Sequence, residues 1–270
     1  VGLIDAVFGR VLIGLSEFRD HHIFYLVPAL PLAGLLIVYL YQKLAGKAAQ
    51  GMGLIFKVGH NEEDQVPLRL IPLVTVTTWL THLFGGSAGR EGVAVQLGAT
   101  VSHAFSRYFK IPNASRIFLT IGMAAGFGGL FQTPIAATFF ALEVLTLGQL
   151  SLPILVPTLI ASFMASTTSH LLGLEKFSHF VSKSLTIDLE TFMKLALLGL
   201  AFGLAGNLFA YLLSLAKKKV ASLLPNPYYR VLLGGVVLTC LLLILCKGRY
   251  TGLGTNLIAL SVDGGTIYPL

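Results

Sequence analysis

The sequence predicts an all-α polytopic membrane protein built from broken, tilted helices. Three observations carry that expectation. Of the 270 residues, 55% are hydrophobic and only 11% are charged. The mean hydropathy is +0.80. The apolar residues fall in long runs with charges gathered between them. A soluble domain averages about 25% charged residues, so the composition excludes a disordered chain and argues against a soluble globule. A run of about 20 apolar residues crosses a bilayer as one helix.

Residues 22–44 form a clear span, and 68–84 are a second apolar run. The third, 93–105, is shorter and rich in small residues. Residues 117–130 and 131–147 are expected to be joined by a Gly-rich turn, 152–172 are full length, and 191–216 and 231–245 complete the series. Several runs are too short for a perpendicular crossing and are interrupted by Gly or Pro. That is the pattern of helices that end inside the membrane.

The formal charge is +7. In a soluble protein such a balance points to nucleic acid, but here the bases sit at the ends of apolar segments and report topology instead. Arg107, Lys110 and Arg116 form one cluster, Lys217, Lys218, Lys219 and Arg230 another, and Lys43 with Lys47 a third. The positive-inside rule puts all three in the cytoplasm. The loop 173–190 mixes Glu175, Lys176, Lys183, Asp188 and Glu190 and belongs on the opposite face. Cys240 and Cys246 indicate no disulfide framework, and neither a metal-ligand spacing nor a cofactor motif is present. The chain begins at Val1 with no basic n-region and cleavage site, so its first residues are expected to continue an element begun upstream.

Gly51-Met52-Gly53-Leu54-Ile55 follows one apolar hairpin, and Gly252-Leu253-Gly254-Thr255-Asn256 follows another. The first hairpin loop, Arg19-Asp20-His21-His22, is nearly neutral, whereas the second is strongly basic. Reversed charge bias at matched positions is the pattern of an inverted repeat, which places an ion site at the midplane between halves. The expected division is a first half over 1–189 and the beginning of a second half over 190–270. That second copy stops early, as in a fragment of a longer protein.

The stretch that carries chemistry is Gly85-Gly86-Ser87-Ala88-Gly89-Arg90-Glu91-Gly92-Val93-Ala94-Val95-Gln96-Leu97-Gly98. It sets a carboxylate and a guanidinium between two apolar segments, where charges are expensive and usually functional. Glu91 stands at the start of a helix, whose unpaired N–H groups and positive dipole end suit an anion. A carboxylate can take the anion's place there, and protonation would release it, which is a physical basis for gating and proton coupling. A phosphate-binding loop is a poor match, because no Gly-Lys-Ser/Thr follows the glycines. Helix packing by small residues accounts for the glycines but not for Glu91 beside Arg90.

This stretch resembles the chloride channel and transporter (CLC) family, whose signature here reads Gly-Arg-Glu-Gly-Pro-x-Val-Gln. Gly51-Met52-Gly53-Leu54-Ile55 is similar to its Gly-Ser-Gly-Ile-Pro anion-site motif. Gly129 to Ala137, running on to Leu142-Glu143, is similar to its Phe-Asn-Ala-Pro-Leu-Ala-Gly segment and the Glu beyond. The resemblance covers essentially the whole chain and implies a chloride-channel-like inverted repeat. It implies that Glu91 gates and couples to protons, with backbone N–H groups at Gly51, Met52, Gly53, Gly92 and Val93 along the anion path and Arg90 and Glu143 in support. It also implies a homodimer, with 131–147 and 152–172 contributing to the contact.

Two departures bear on the ion. Met52 replaces the serine that offers chloride a hydroxyl, and Val93 replaces the proline after the gating Glu-Gly. Both are similar to the family's fluoride-exporting bacterial branch, which exchanges fluoride for protons. A thioether is a poor partner for a hard anion, so backbone N–H groups or other side chains must supply donors. In family antiporters a second glutamate serves the internal proton route. Val144 fills that position here, which leaves Glu91 to carry the coupling.

Of the remaining polar residues, Thr77, Thr78 and Thr81 are expected to bond back to their own helix. His82 and His103 are expected to be hydrogen-bonded structural histidines rather than proton relays. Phe56, Phe127 and Phe131 are expected to be core aromatics, Gly122 and Gly126 a close helix contact, and Glu62, Glu63 and Asp64 a solvated loop. The reading is membrane anion transport, with proton-coupled fluoride export in a bacterial plasma membrane as its specific form. A chloride channel or chloride–proton antiporter is the alternative. A membrane enzyme finds no nucleophile–base pair and no cofactor here. A non-transporting scaffold is what a fragment lacking the rest of the second half would become.

Overall fold

The computed structural model describes residues 1–145, 152–176, 178, 188–245 and 248–262. Lys183 and Cys246 lie outside the described residues. Among the described residues every regular element is helical.

Helix α1 (Gly2–His21) buries Phe8 and Leu12, one turn apart. Phe8 stacks on Trp79 with ring centroids 6.4 Å apart, and Trp79 Nε1 donates to the Phe8 carbonyl at 3.2 Å. The next apolar run is not one straight helix. It is built from α2 (Ile23–Leu26), a 3-10 turn Val27–Ala29, α3 (Leu30–Leu40), a π turn Tyr41–Ala45, a second 3-10 turn Gly46–Gln50 and α4 (Met52–Gly59). Pro28 and Pro31 lack the N–H that would continue the ladder, so the chain breaks where they stand.

Then come α5 (Leu70–Leu83) and α6 (Glu91–Ser106), and after them α7 (Ala114–Phe131), α8 (Pro134–Val144) and α9 (Leu155–Leu171). Val93 to Thr100 of α6 are buried without interruption. One side joins a core with Leu54, Ile55, Leu70, Leu119 and Met123, and the other joins Phe8, Leu12, Val74, Leu130 and Leu174. A helix covered all round in this way is a central one.

The glycines of α7 serve close approach. A Cβ on Gly122 would collide with the Gly98 carbonyl oxygen, and one on Gly126 with the Ala94 carbonyl oxygen. The GxxxG pair is therefore the helix contact the sequence suggests. The Gly-rich turn expected after it is absent, because those glycines stay inside α7 for packing. The chain reverses instead at Gln132, which takes the left-handed conformation at φ 57°, and Pro134 starts α8. On the other side of α7, Ser162 and Ser169 of α9 donate to the Ala124 and Gly129 carbonyls at 3.0 and 2.6 Å.

Helix α10 (Leu189–Leu223) is capped by Asp188, whose carboxylate accepts from the Thr191 N–H at 2.8 Å. It runs past the expected 191–216 because lysines 217–219 are good helix formers. None of its residues is buried. Helix α11 (Pro227–Cys240) continues into a π turn Leu241–Leu245, and α12 (Thr255–Val262) ends the described chain. Helices α3 and α11 pack face to face, with Gly235 against Pro31 and Gly34 against Val231.

Among the described residues, Ile23–Gly59, Ala114–Phe131, Leu152–Leu171, Leu189–Leu223 and Pro227–Ile244 are long and apolar enough to cross a membrane. Leu70–Leu83 and Pro134–Val144 are apolar but shorter.

The α6–α7 contact predicts an asymmetric response to added volume. Gly122→Val should lower the thermal unfolding midpoint in detergent by the equivalent of about 1–3 kcal/mol, the usual range for overpacking. Gly199→Ala on α10, where a Cβ meets nothing within 4 Å, should not lower that midpoint and should raise it slightly through the better helix propensity of Ala.

Candidate ion-pathway site

The site begins with two helix N-termini. At α4, Gly51 holds φ 55° and ψ −126°, a combination that only glycine adopts without strain. Its N–H donates to the Ala48 carbonyl at 3.0 Å, and Leu54 N–H bonds the Gly51 carbonyl at 3.1 Å. The N–H groups left over at this end are those of Met52 and Gly53. At α6, Ala94 N–H donates to the Arg90 carbonyl at 3.1 Å, which leaves the N–H groups of Glu91, Gly92 and Val93 without intrahelical partners. The two ends meet, since a Cβ on Gly92 would stand 3.8 Å from Met52 Cγ. Val93 itself is buried in the core with Leu97, while Gly53 is exposed.

Glu91 is exposed, and its carboxylate folds back over Gly89, where a Cβ would strike Oε2. It takes part in no hydrogen bond or close ion pair among the described residues. It lines a cavity of about 410 Å³ together with Arg90, Phe127, Phe131, Thr133 and Lys176, and with Leu253, Thr255 and Ile258 from the start of α12. The Arg90 guanidinium lies over the Phe131 ring, 5.1 Å from its centroid. Phe127 packs on Phe131 at 4.8 Å and on Phe140 at 5.2 Å. Phe127 and Phe131 are thus cavity walls as well as packing residues, whereas Phe56, like Met52, packs half-buried against the core.

The loop that presents Glu91 is tied at several points. The His82 ring nitrogens lie 2.9 Å from the Thr78 carbonyl and 3.0 Å from the Ala88 carbonyl. Buried Arg19 donates to the His82 carbonyl at 2.9 Å. Ser87 donates to the Tyr250 carbonyl at 2.7 Å, which joins the loop to the segment before α12. His103 meets the Ser115 hydroxyl at 2.9 Å. Both histidines are structural, as the sequence suggests. Thr77 and Thr81 bond back to Leu73 and Thr77 carbonyls, each at 2.8 Å.

Glu143 sits in the last turn of α8, exposed and away from this cavity. Among the described residues it has no ion-pair partner. In the acidic connection, Glu63 accepts from Lys47 at 2.5 Å, and that bond and charge hold its carboxyl below the usual carboxylate range. No sequence pattern marks Lys176 as a residue that reaches the cavity. It does so because Leu174 is buried against Leu130, and Gln132 Nε2 donates to the Leu174 carbonyl at 3.3 Å.

The voltage-gated chloride channel family model matches residues 33–270. The chain belongs to that family. Across 210 residues it is 32% identical to a chloride/fluoride channel protein of Pseudomonas syringae pv. tomato, covering 77% of this chain and 46% of that protein. It is 27% identical over 171 residues to a voltage-gated ClC-type chloride channel of Salmonella typhimurium, 63% of this chain and 41% of that protein. The crystal structure of a CLC-type fluoride/proton antiporter superposes with a TM-score of 0.95 at 50% identity, covering 99% of this chain and 68% of that one. A slow cyanobacterial Cl−/H+ antiporter shares the fold, with a TM-score of 0.77 at 21% identity over 98% of this chain and 65% of that one. The chain spans about half the length of the curated relatives it matches. Family membership and the apolar helices make this a multi-pass membrane protein with the chloride-channel fold.

The ties on the loop predict a local effect. His82→Phe keeps a large ring but removes both nitrogens facing carbonyl oxygens. Losing a bond worth ~1 kcal/mol should speed amide hydrogen exchange across residues 85–90 roughly fivefold, with α9 unchanged. Mass-spectrometric exchange in detergent reads both segments.

Proposed function

We propose that this chain forms part of a proton-coupled fluoride exporter, working as a homodimer in a bacterial plasma membrane. The observation that carries the proposal is the meeting of two helix N-termini, α4 at Met52 and α6 at Gly92, beside a cavity that Glu91 lines. Free N–H groups at both ends favour an anion. Glu91 carries a negative charge on the same helix end, so carboxylate and anion compete for one electropositive region. Protonation removes that competition, and each anion passage is thereby linked to a proton. Arg90 and Lys176 add positive charge at the cavity and raise the local anion concentration.

Fluoride is favoured over chloride by the two departures at Met52 and Val93 and by the 50% identity to a CLC-type fluoride/proton antiporter. Small, strongly hydrated anions need close N–H donors more than they need width. The second reading, a chloride channel or chloride–proton antiporter, draws on the chloride channel relatives, and the missing serine hydroxyl weighs against it.

Residues 1–189 and 190–270 are taken as one inverted-repeat half and the start of the other. Helix α3, a π turn, glycines at positive φ and the eight-residue α4 are followed in the same order by α11, a π turn, Gly248, Gly252 and Gly254 at positive φ, and the eight-residue α12. The basic clusters are assigned to the cytoplasm. Exposed apolar residues on α8 and α9, among them Ile135, Phe139, Val156 and Ile160, suit a contact between subunits.

The complete reading frame that encodes this chain should release fluoride from proteoliposomes with little chloride, read with the two ion-selective electrodes. Comparable or greater chloride efflux would place the protein in the chloride branch. Glu91→Gln should abolish fluoride-driven proton movement, and an unchanged proton flux would remove Glu91 from the gate. Met52→Ser should raise chloride efflux relative to fluoride. If the ratio does not move, Met52 is a packing residue.

A further inference from the structure

The anion path has backbone N–H donors at both helix ends but no side-chain donor in place of the missing serine hydroxyl. Met52 brings a thioether, and the Gly51 N–H is already bonded to Ala48. One buried side chain has a donor to spare at this place. Gln96 lies one turn along α6 from Gly92 and is only 8% exposed. Its Nε2 donates to the Gly92 carbonyl at 3.0 Å, which is the side-chain amide's one hydrogen bond among the described residues. Its Oε1 stands 3.5 Å from where a Cβ on Gly51 would be, and its Nε2 3.9 Å from a Cβ on Gly92. The amide and the Met52 thioether therefore flank the same pair of glycines, and the missing Cβ atoms let the amide reach both backbone turns.

A carboxamide has two N–H donors and one acceptor oxygen, and burying them without partners is unfavourable. The second N–H of Gln96 and its oxygen face the joint between α4 and α6. A half-turn of the amide points the NH2 group at Gly51 and Met52 but breaks the Gly92 bond and brings the amide oxygen toward the Gly92 carbonyl oxygen, a cost that the bond to an anion has to offset. Resting on the transport reading above, we propose that the Gln96 side chain is the specificity-determining donor of this site. It supplies to a small hard anion the hydrogen bond that Met52 does not give. The anion would then be held between the Gln96 NH2 group and the free N–H groups of Met52 and Gly53 on one side and Gly92 and Val93 on the other. Bound to the Gly92 carbonyl, the amide is parked. Turned to the anion, it completes the ligand set.

The test uses the complete reading frame in proteoliposomes, with fluoride and chloride efflux measured for wild type, Gln96→Leu, Met52→Ser and the double variant. A hydrogen bond to a charged group corresponds to roughly a tenfold change or more. Gln96→Leu should therefore lower fluoride efflux about tenfold and leave chloride efflux within about twofold. In the Met52→Ser background, where a hydroxyl can donate in its place, the same substitution should lower fluoride efflux by only about twofold, because the two positions are coupled. A purely structural role predicts that fluoride and chloride efflux fall together in both backgrounds, and that result overturns the proposal, as does unchanged fluoride efflux in Gln96→Leu. If Gln96→Leu does not yield monodisperse protein, Gln96→Met, which keeps length and removes the donor, is judged by the same criteria. Wild-type protein that releases no fluoride overturns both this proposal and the transport reading. Wild-type fluoride release with a Gln96→Leu variant that matches it overturns the role of Gln96 alone.

Discussion

Gly98 and Gly122 bring α6 and α7 together so closely that a side chain on either would meet the other's backbone, and Gly126 repeats the contact one turn on against Ala94. In an apolar solvent there is little hydrophobic gain in joining two apolar helices, so van der Waals packing between backbones has to hold them. This crossing fixes the height of α6. With α6 placed, Glu91 emerges at the level of Phe127 and Phe131, and Arg90 rests on Phe131. The opposite face of α7 is then closed by the serines of α9, which bond its carbonyls. A shift of α6 by one residue would carry the glutamate away from the cavity and put bulkier side chains at the crossing.

Helices that stop inside the membrane leave backbone groups that need partners there. At the loop before α6, His82 and Arg19 take on that work, together with Ser87 at Tyr250. The loop carries Gly85, Gly86 and Gly89 and would be mobile on its own. Anchored at both Ala88 and Ser87, it delivers Arg90 and Glu91 to a defined position while its first-turn N–H groups stay free. Rigidity at the loop and freedom at the N–H groups are compatible because the ties go to carbonyl oxygens.

Much of this was legible in residues. The carboxylate at a helix start, the small-residue pair in α7 and the structural histidines follow from chemistry that one or two side chains carry. Glycine composition misplaces a turn near 130 because glycine serves two ends, bending and close approach, and composition alone does not separate them. In α7 the packing use took all of them, and Gln132 made the turn. Lys176 and Gln96 were not legible as site residues. Lys176 reaches the cavity through the anchoring of Leu174, a contact between segments far apart in sequence. Gln96 reads as one polar residue in an apolar helix until α4 is seen beside it. The candidate residues legible in the sequence are those whose placement depends on their own helix, whereas the placement of Lys176 and Gln96 depends on a neighbour.

The start of α12 supplies the last constraint. Thr255 and Ile258 border the same cavity as Glu91, and α12 arrives there through a π turn and a glycine turn, as α4 arrives beside α6. The close packing of α3 on α11 sets the distance between these two short helices. The N-termini of α4 and α12 thereby each stand next to that of α6, and each brings the positive end of its dipole. One such end attracts an anion weakly in water. Adjacent ends add their potentials. The broken helices thus let a chain with few charged side chains bring positive helix ends close to one another, and Glu91 is the carboxylate that stands beside them.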